Sequence, residues 1–215
     1  DGNRAPGVEV ESDGERFVVE ASQVILSCGA IGSPQLLMLS GVGPKAVLDG
    51  LSIPLVLEVP GVGQNLRDHP NVRVPIEVQD DFPLNPEDPR SQVALRYTAT
   101  GSDLRNDIQI MASSFSSPIS GDPLEAEGIR FTCILELAVG SGELTLASTD
   151  PSVQPNLNYH YLEETWDRER MREAVRLAIR FMEHASFKNI VDSMIEPTEE
   201  DLKSDETLDA WLLRE

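Results

Sequence analysis

The residues best suited to chemistry fall in three short stretches. Gly29-Ala30-Ile31-Gly32-Ser33-Pro34 follows an apolar run and opens a helix-prone one. Small residues let a ligand approach the backbone closely, and a helix start favours anions. The same residues equally suit tight packing of a strand on a helix. Gly41-Val42-Gly43-Pro44-Lys45-Ala46 has the formal spacing of a dinucleotide-binding glycine loop. That loop works only with a strand before its first glycine and a helix after its last. Here a helix precedes it, so it is read as a helix-to-helix turn. Asp68-His69-Pro70 sets a carboxylate beside an imidazole, a pair that can serve as a general base. Side chains adjacent in sequence rarely face each other, so on local grounds His69 is read as structural.

The other two histidines invite less. His160 lies between Tyr159 and Tyr161 and reads as a packed or surface imidazole; His184, near a helix end, suits the negative end of the helix dipole. Three scattered histidines without C-x-x-C or H-E-x-x-H argue against a zinc site. No G-x-S-x-G is present, which removes the hydrolase nucleophile elbow. Glu196, Glu199, Glu200 and Asp201 read as a solvated acidic run.

These residues need a scaffold, and the composition supplies one. The chain has 215 residues with 40% hydrophobic side chains, enough for one large domain or two modest ones. Lys and Arg number 17 against 37 Asp and Glu, a formal charge of −20. Such a surface repels phosphate backbones and anionic lipid, so no nucleic-acid or membrane partner is expected. No apolar run approaches the roughly 18 residues a transmembrane helix needs. The polar start, Asp1 to Gly7, does not resemble a signal peptide, and a chain opening mid-turn without Met is read as a piece of a longer polypeptide. Cys28 and Cys133 both sit in apolar, strand-like runs. Two buried thiols suit a reducing compartment, so a cytoplasmic location is expected.

The elements follow from pattern. Val8 to Glu11 and Arg16 to Glu20 flank Asp13-Gly14 and predict a β-hairpin. Val24 to Cys28 predicts a strand buried on both faces. The following apolar helix is capped by Ser33 with Pro34 at its first position, and ends at Ser40-Gly41. Pro44 to Asp49 predicts a second short helix, and Leu55 to Val59 a strand. Pro60 to Pro70 is an ordered loop. Val72 to Val78 is a strand that Pro75 places at an edge or bulge. Gln79 to Ser91 reads as a loop. Strands are expected at Val93–Thr98, Asp107–Met111, Ile129–Ala138 and Glu143–Ala147, with a mobile Ser113–Gly128 segment between the second and third. Met171, Val175, Ala178, Phe181 and Met182 form one apolar stripe of a long helix capped by Thr165 or Asp167. Ser204 or Asp205 starts a last helix with Trp211 on its buried side.

Four segments resemble the glucose–methanol–choline (GMC) family of flavoprotein oxidoreductases. Val24 to Gly43, containing Cys28-Gly29-Ala30-Ile31-Gly32-Ser33-Pro34-Gln35-Leu36-Leu37, is closely similar to a signature of that family. Val59 to Pro70 is similar to its next segment, Asn106 to Ile110 to a strand of its substrate domain, and Gly140 to Pro151, followed by Pro155 and Tyr161-Leu162, to a later block.

The resemblance implies α/β plus α+β architecture: a partial FAD-binding, Rossmann-like domain over residues 1–71, a substrate-binding domain with an antiparallel sheet and a long helix over 72–195, and a return towards the FAD-binding domain over 196–215. It implies FAD as cofactor and a small-molecule alcohol as substrate, oxidised by hydride transfer to the flavin. By position, Cys28, Gly29, Ala30 and Ser33 match residues that pack against the cofactor, and Asn65, Asp68 and His69 match a loop near the domain junction. The family's phosphate-binding glycine loop and its catalytic histidine, in an H-x-x-G-T segment, are not in this sequence, so the chain alone is expected to be inactive. Choline is a substrate often attached to such sequences. A non-catalytic module reusing the substrate domain, and the family's cyanohydrin-lyase branch, remain open alternatives.

Overall fold

The computed structural model describes residues 4–83, 89, 91–113 and 129–215. Most of the expected Ser113–Gly128 segment, and residues 84–88 and 90 of the expected Gln79–Ser91 loop, lie outside the described residues. The chain divides into two units: Asp1–Gln64 with Leu144–Leu157, and Asn65–Glu143 with Asn158–Glu215.

The first unit begins with a hairpin, β1 (Gly7–Ser12) and β2 (Glu15–Glu20), in which Gly7 pairs with Glu20 and Ser12 with Glu15. Asp13 (φ 53°) and Gly14 (φ 80°) form the turn, both left-handed as a two-residue hairpin loop of this kind requires. α1 (Gly29–Leu39) leads through Gly41, at φ 81°, into a two-residue strand β3 (Val42–Gly43). α2 (Lys45–Gly50) follows, and β4 (Leu57–Glu58) returns parallel to β3. The core of this unit is small: Met38, Leu48, Leu144 and Leu146 are its buried members.

Three expectations fail here. Val24–Cys28 is neither strand nor buried; Ile25 is 78% exposed and no described strand pairs with it. An extended segment without a neighbour has no ladder to join, so apolar β-branched residues alone do not make a strand. Cys28 is exposed accordingly. The first helix begins at Gly29, not at Ser33, with Pro34 inside it and only Met38 fully buried. Gly29 (φ 76°) reverses the chain four residues early, and the Ser33 hydroxyl turns back to accept the Cys28 N–H at 3.0 Å. Pro34 then removes the donor that would serve the Ala30 carbonyl. The strand expected over Leu55–Val59 contracts to β4.

Three short strands come next in the sheet order β11-β10-β5: β5 (Gln64–Leu66), β10 (Gly142–Thr145) and β11 (Asn156–Asn158). β5 shows that the glycine- and proline-rich stretch from Pro60 to Pro70 holds a brief strand after all.

The second unit is built on a five-stranded antiparallel sheet. β6 (Asn71–Val78), β7 (Ser91–Tyr97), β8 (Ile108–Ser113), β9 (Ile129–Leu135) and β12 (Val191–Met194) lie in the order β12-β6-β9-β8-β7. β9 alternates strictly, with Ile129, Phe131, Cys133 and Leu135 buried and the residues between half-buried. That is the signature of a sheet covered on one face. The cover is α3 (Thr165–Met182), whose Met171, Ala174, Val175, Ala178 and Met182 join β6, β8 and β9 in one core. Phe131 meets Phe181 and Phe187 at ring-centroid distances of 6.1 and 5.8 Å. α4 (Asp205–Leu212) adds Leu208, Trp211 and Leu212; Ser204 caps it, and Ser204 and Thr207 exchange a reciprocal capping box.

Pro75 does not mark an edge. β6 sits between β12 and β9. The Pro75 carbonyl accepts the Ile195 N–H at 3.0 Å, so its nitrogen faces the β12 side too, one residue past the last paired residue, Met194 opposite Ile76. The missing N–H therefore falls where the partner strand has already ended. Neither Thr165 nor Asp167 caps α3; Glu164 holds that position, Thr165 is the first helical residue and Asp167 is buried. The described helices include none long and apolar enough to cross a membrane.

Candidate functional site

In the first unit the sequence-predicted residues cluster where α1 begins. Cys28, Gly29 and Ala30 are exposed and Ser33 is half-buried beneath them. A Cβ added at Gly29 would meet nothing within 4 Å, whereas one at Gly32 would lie 2.9 Å from Cys28 Cβ. Gly29 thus opens onto free space and Gly32 is required by close packing. Gln35, one turn on, donates to the Val153 carbonyl at 2.9 Å and more weakly to that of Pro151 at 3.4 Å, tying α1 to the turn after β10. The result is a fixed, bare, small-residue ledge.

In the second unit Asn65 lies in β5, and Asp68 and His69 lie in the short loop that follows it. Asn65 is left-handed at φ 61°, and its Oδ1 accepts Arg67 Nε at 3.0 Å; Arg67 Nη1 donates to the Ala138 carbonyl at 3.1 Å. Asp68 Oδ1 accepts the backbone N–H of His69 at 2.8 Å. The carboxylate therefore fixes the loop and leaves the imidazole to another partner: His69 Nδ1 lies 3.3 Å from Glu136 Oε2, with Arg96 Nη2 3.8 Å from the same oxygen. Burial, followed by the charge and hydrogen bonding of Asp68, pushes the Tyr161 phenol up to about 12. Tyr161 in turn stacks on Tyr159 at 4.8 Å and 12°. His160 and Leu162, both left-handed, bend this aromatic stretch; His160 Nδ1 stands 3.9 Å from Glu163. Non-glycine residues held in that region store strain and are over-represented at functional sites. A cavity of about 360 Å³ opens beside the loop, bordered by Arg67, Asp68, His69, Leu104, Glu136 and Val139.

Beneath it lies a network the sequence reading missed. Arg170 is 1% exposed; its Nη1 donates to Asp107 Oδ2 at 2.8 Å and its Nη2 to Asp167 Oδ1 at 2.5 Å. Burial alone would raise the Asp107 carboxyl. Hydrogen bonds from the Ser102 hydroxyl, the Ala99 N–H and Arg170 outweigh that and hold it below the ordinary carboxylate range. A signal existed. Asp167 and Arg170 lie four residues before Met171 and Ala174, on the apolar stripe, where a charge must be paired to be tolerated. Glu136 gave less warning, being a single acid inside the strand expected over Ile129–Ala138, which in fact ends at Leu135. His184 does not serve the dipole of α3; its Nδ1 accepts the Ser186 N–H at 3.2 Å and caps the short helical turn Ala185–Phe187.

Two family models described as GMC oxidoreductase match the chain, one over residues 1–71 and one over 138–213. Among similar proteins, oxygen-dependent choline dehydrogenase of Burkholderia multivorans is 32% identical over 236 residues, covering 99% of this chain and 42% of the relative. A GMC-type oxidoreductase of Rhodococcus erythropolis is 31% identical over 204 residues, covering 94% of this chain and 40% of its own length. Among solved structures, pyridoxine 4-oxidase from Mesorbium loti superposes with a TM-score of 0.81 at 23% identity, over all of this chain and 42% of that one. Formate oxidase superposes with a TM-score of 0.79, also at 23% identity, over 97% of this chain and 45% of that one. The chain thus spans about two fifths of the length of the relatives it matches. With matches that begin at the hairpin and end in α4, and a fold shared with these oxidases, the chain belongs to the GMC oxidoreductase family.

Proposed function

We propose that this chain is part of an FAD-dependent enzyme that oxidises an alcohol. A bound flavin would supply the hydride acceptor. The observation that carries the reading is the bare ledge at the start of α1, within the segment matched by the first family model. Gly29 opens onto free space, Cys28 to Ile31 are exposed, and the apolar residues Ile25 and Leu26 before them are exposed too. An uncovered apolar wall with small residues at its rim fits a large, flat, partly apolar group, because burying it against such a group removes apolar surface from water. The sequence reading had Val24–Cys28 buried as a strand; it is largely exposed, and a bound cofactor is the cover proposed for this wall. Cys28, Gly29, Ala30 and Ser33 are the residues proposed to hold FAD in the first unit. In the second, Asn65 and Asp68 keep the loop rigid and His69 presents a ring held by Glu136; these three are proposed as cofactor-facing on that unit's own geometry.

Domain limits of 1–71, 72–195 and 196–215 are proposed with this reading, as is a cytoplasmic location. Choline heads the candidate substrates because the 32%-identical relative is a choline dehydrogenase. The test is flavin content and anaerobic flavin bleaching by a panel of alcohols in the full-length protein. Bound FAD bleached by at least one alcohol is expected, with occupancy lowered by Gly29→Leu. A full-length protein without flavin refutes the reading; cyanide release from a cyanohydrin without bleaching moves it to the lyase branch.

A further inference from the structure

Residues 136–140 leave β9, and the first four of them wall the cavity beside His69, yet none belongs to a strand. Backbone outside a ladder still needs partners for its polar groups. Here each of the five has one. The Glu136 N–H donates to the Asp107 carbonyl at 2.8 Å, and the Leu137 carbonyl accepts Arg170 Nη1 at 3.0 Å. The Ala138 carbonyl accepts Arg67 at 3.1 Å. The Val139 and Gly140 N–H groups donate to Asp167 Oδ1 and Oδ2 at 3.0 and 2.9 Å. Three of these five bonds are made by side chains of the buried trio Arg170, Asp107 and Asp167, and a fourth by the main-chain carbonyl of Asp107. The same trio reaches Ser102 and Ala99 through Asp107.

We propose that Arg170, Asp107 and Asp167 are positioning residues: they set the path of residues 136–140 and, through it, the contact of Glu136 with the His69 imidazole. A cation shared by two buried carboxylates suits this task better than apolar packing. Its bonds are directional and charge-assisted, and they specify which backbone atom sits where. Apolar side chains of similar volume would fill the space without fixing the wall. The functional meaning rests on the reading of His69 as cofactor-facing; the geometry does not.

The test is amide hydrogen exchange and the NMR signal of the His69 ring in the 215-residue chain. Asp167→Asn replaces one acceptor by a donor, so Val139 or Gly140 loses its partner. At least one of those two amides is expected to exchange about 10-fold faster or more, while the β9 amides of Phe131 and Cys133 stay within about 3-fold, the pattern of local rather than global opening. The His69 ring signal is expected to shift as Glu136 moves. Gly140→Ala is the second variant. It leaves every buried charge in place but puts a Cβ 3.1 Å from Asp167 Oδ2, so it loosens the same bonds even if Asp167→Asn does not fold. Equal acceleration throughout β9 and residues 137–140, or an unmoved His69 ring, overturns the proposal, because a merely structural role predicts both. Neither readout involves flavin, so failure here is distinct from failure of the cofactor assignment.

Discussion

Replacing Arg170 by Met tests the buried network most directly. The guanidinium is 1% exposed, the two carboxylates it serves are 0% and 1% exposed, and its Cζ lies 5.2 Å from the centre of the Trp166 ring. Met fills part of the volume and leaves two carboxylates without their cation. Removing one partner of a buried ion pair costs about 3–5 kcal/mol. A domain is stable by only about 5–15 kcal/mol, so the loss is large but survivable. The pH dependence identifies the cause. In the native chain Asp107 titrates below the ordinary carboxylate range, so its contribution to stability is full above about pH 4 and is lost as pH falls through its depressed folded value. In the variant the lowering by Arg170 is gone, while burial, which raises, and the Ser102 and Ala99 hydrogen bonds, which lower, remain, so the Asp107 carboxyl moves up from its native position. Each pKa unit of that rise is worth about 1.4 kcal/mol. The deficit of Arg170→Met is therefore full at neutral pH and should shrink as pH falls through the carboxylate range, below about pH 5. Urea unfolding followed by tryptophan fluorescence measures it, since both tryptophans, Trp166 and Trp211, lie in the second unit. A deficit under about 1 kcal/mol at pH 7, or one equal at pH 7 and about pH 4, refutes the argument.

Two further outcomes follow from local geometry. Cys28 is exposed, whereas Cys133 is fully buried and its thiol is pushed up to about 12 by burial. A disulfide reagent should label one thiol per native chain and the second only on unfolding; two rapid equivalents on the native protein would contradict the burial of β9. Gly63, at φ 84°, has no room for a side chain, since a Cβ would lie 2.2 Å from the Leu144 carbonyl, while Gly14, at φ 80°, meets nothing within 4 Å. Gly63→Ala should destabilise by more than about 2 kcal/mol and Gly14→Ala by about 1 kcal/mol; thermal melts giving the two equal cost would show that the steric contact is absent.

What the sequence made legible was governed by local rules. Asp13-Gly14 specified the hairpin, the stripe through Met171 and Val175 specified α3, and Ser204 or Asp205 specified the start of α4. What it concealed depended on partners distant in sequence. β12 reads Val-Asp-Ser-Met, which alternates with nothing until β6 lies beside it. Pro75 looks like an edge residue because the chain alone does not say where β12 stops. Val24 to Leu26 has the composition of a buried strand and no described strand to pair with. For the candidate site, Asp68 and His69 were picked out by their adjacency, which proved to be the lesser part of their chemistry. The partners that matter, Glu136 for the ring and Tyr161 for the carboxylate, stand 67 and 93 positions further along.

The interleaving of the two units has a consequence for anyone who would divide this chain. Leu144 and Leu146 share a buried cluster with Met38 and Leu48, although the residues on either side of 144–157 belong to the larger unit. No single cut separates the two. A truncation beginning at Asn65 would carry a loop with two greasy side chains stripped of their counterparts, and one ending at Gln64 would leave Met38 and Leu48 half wrapped. Module shuffling at the obvious seam should therefore yield sticky, poorly behaved products, and recombination between relatives should respect both crossings of the chain rather than one.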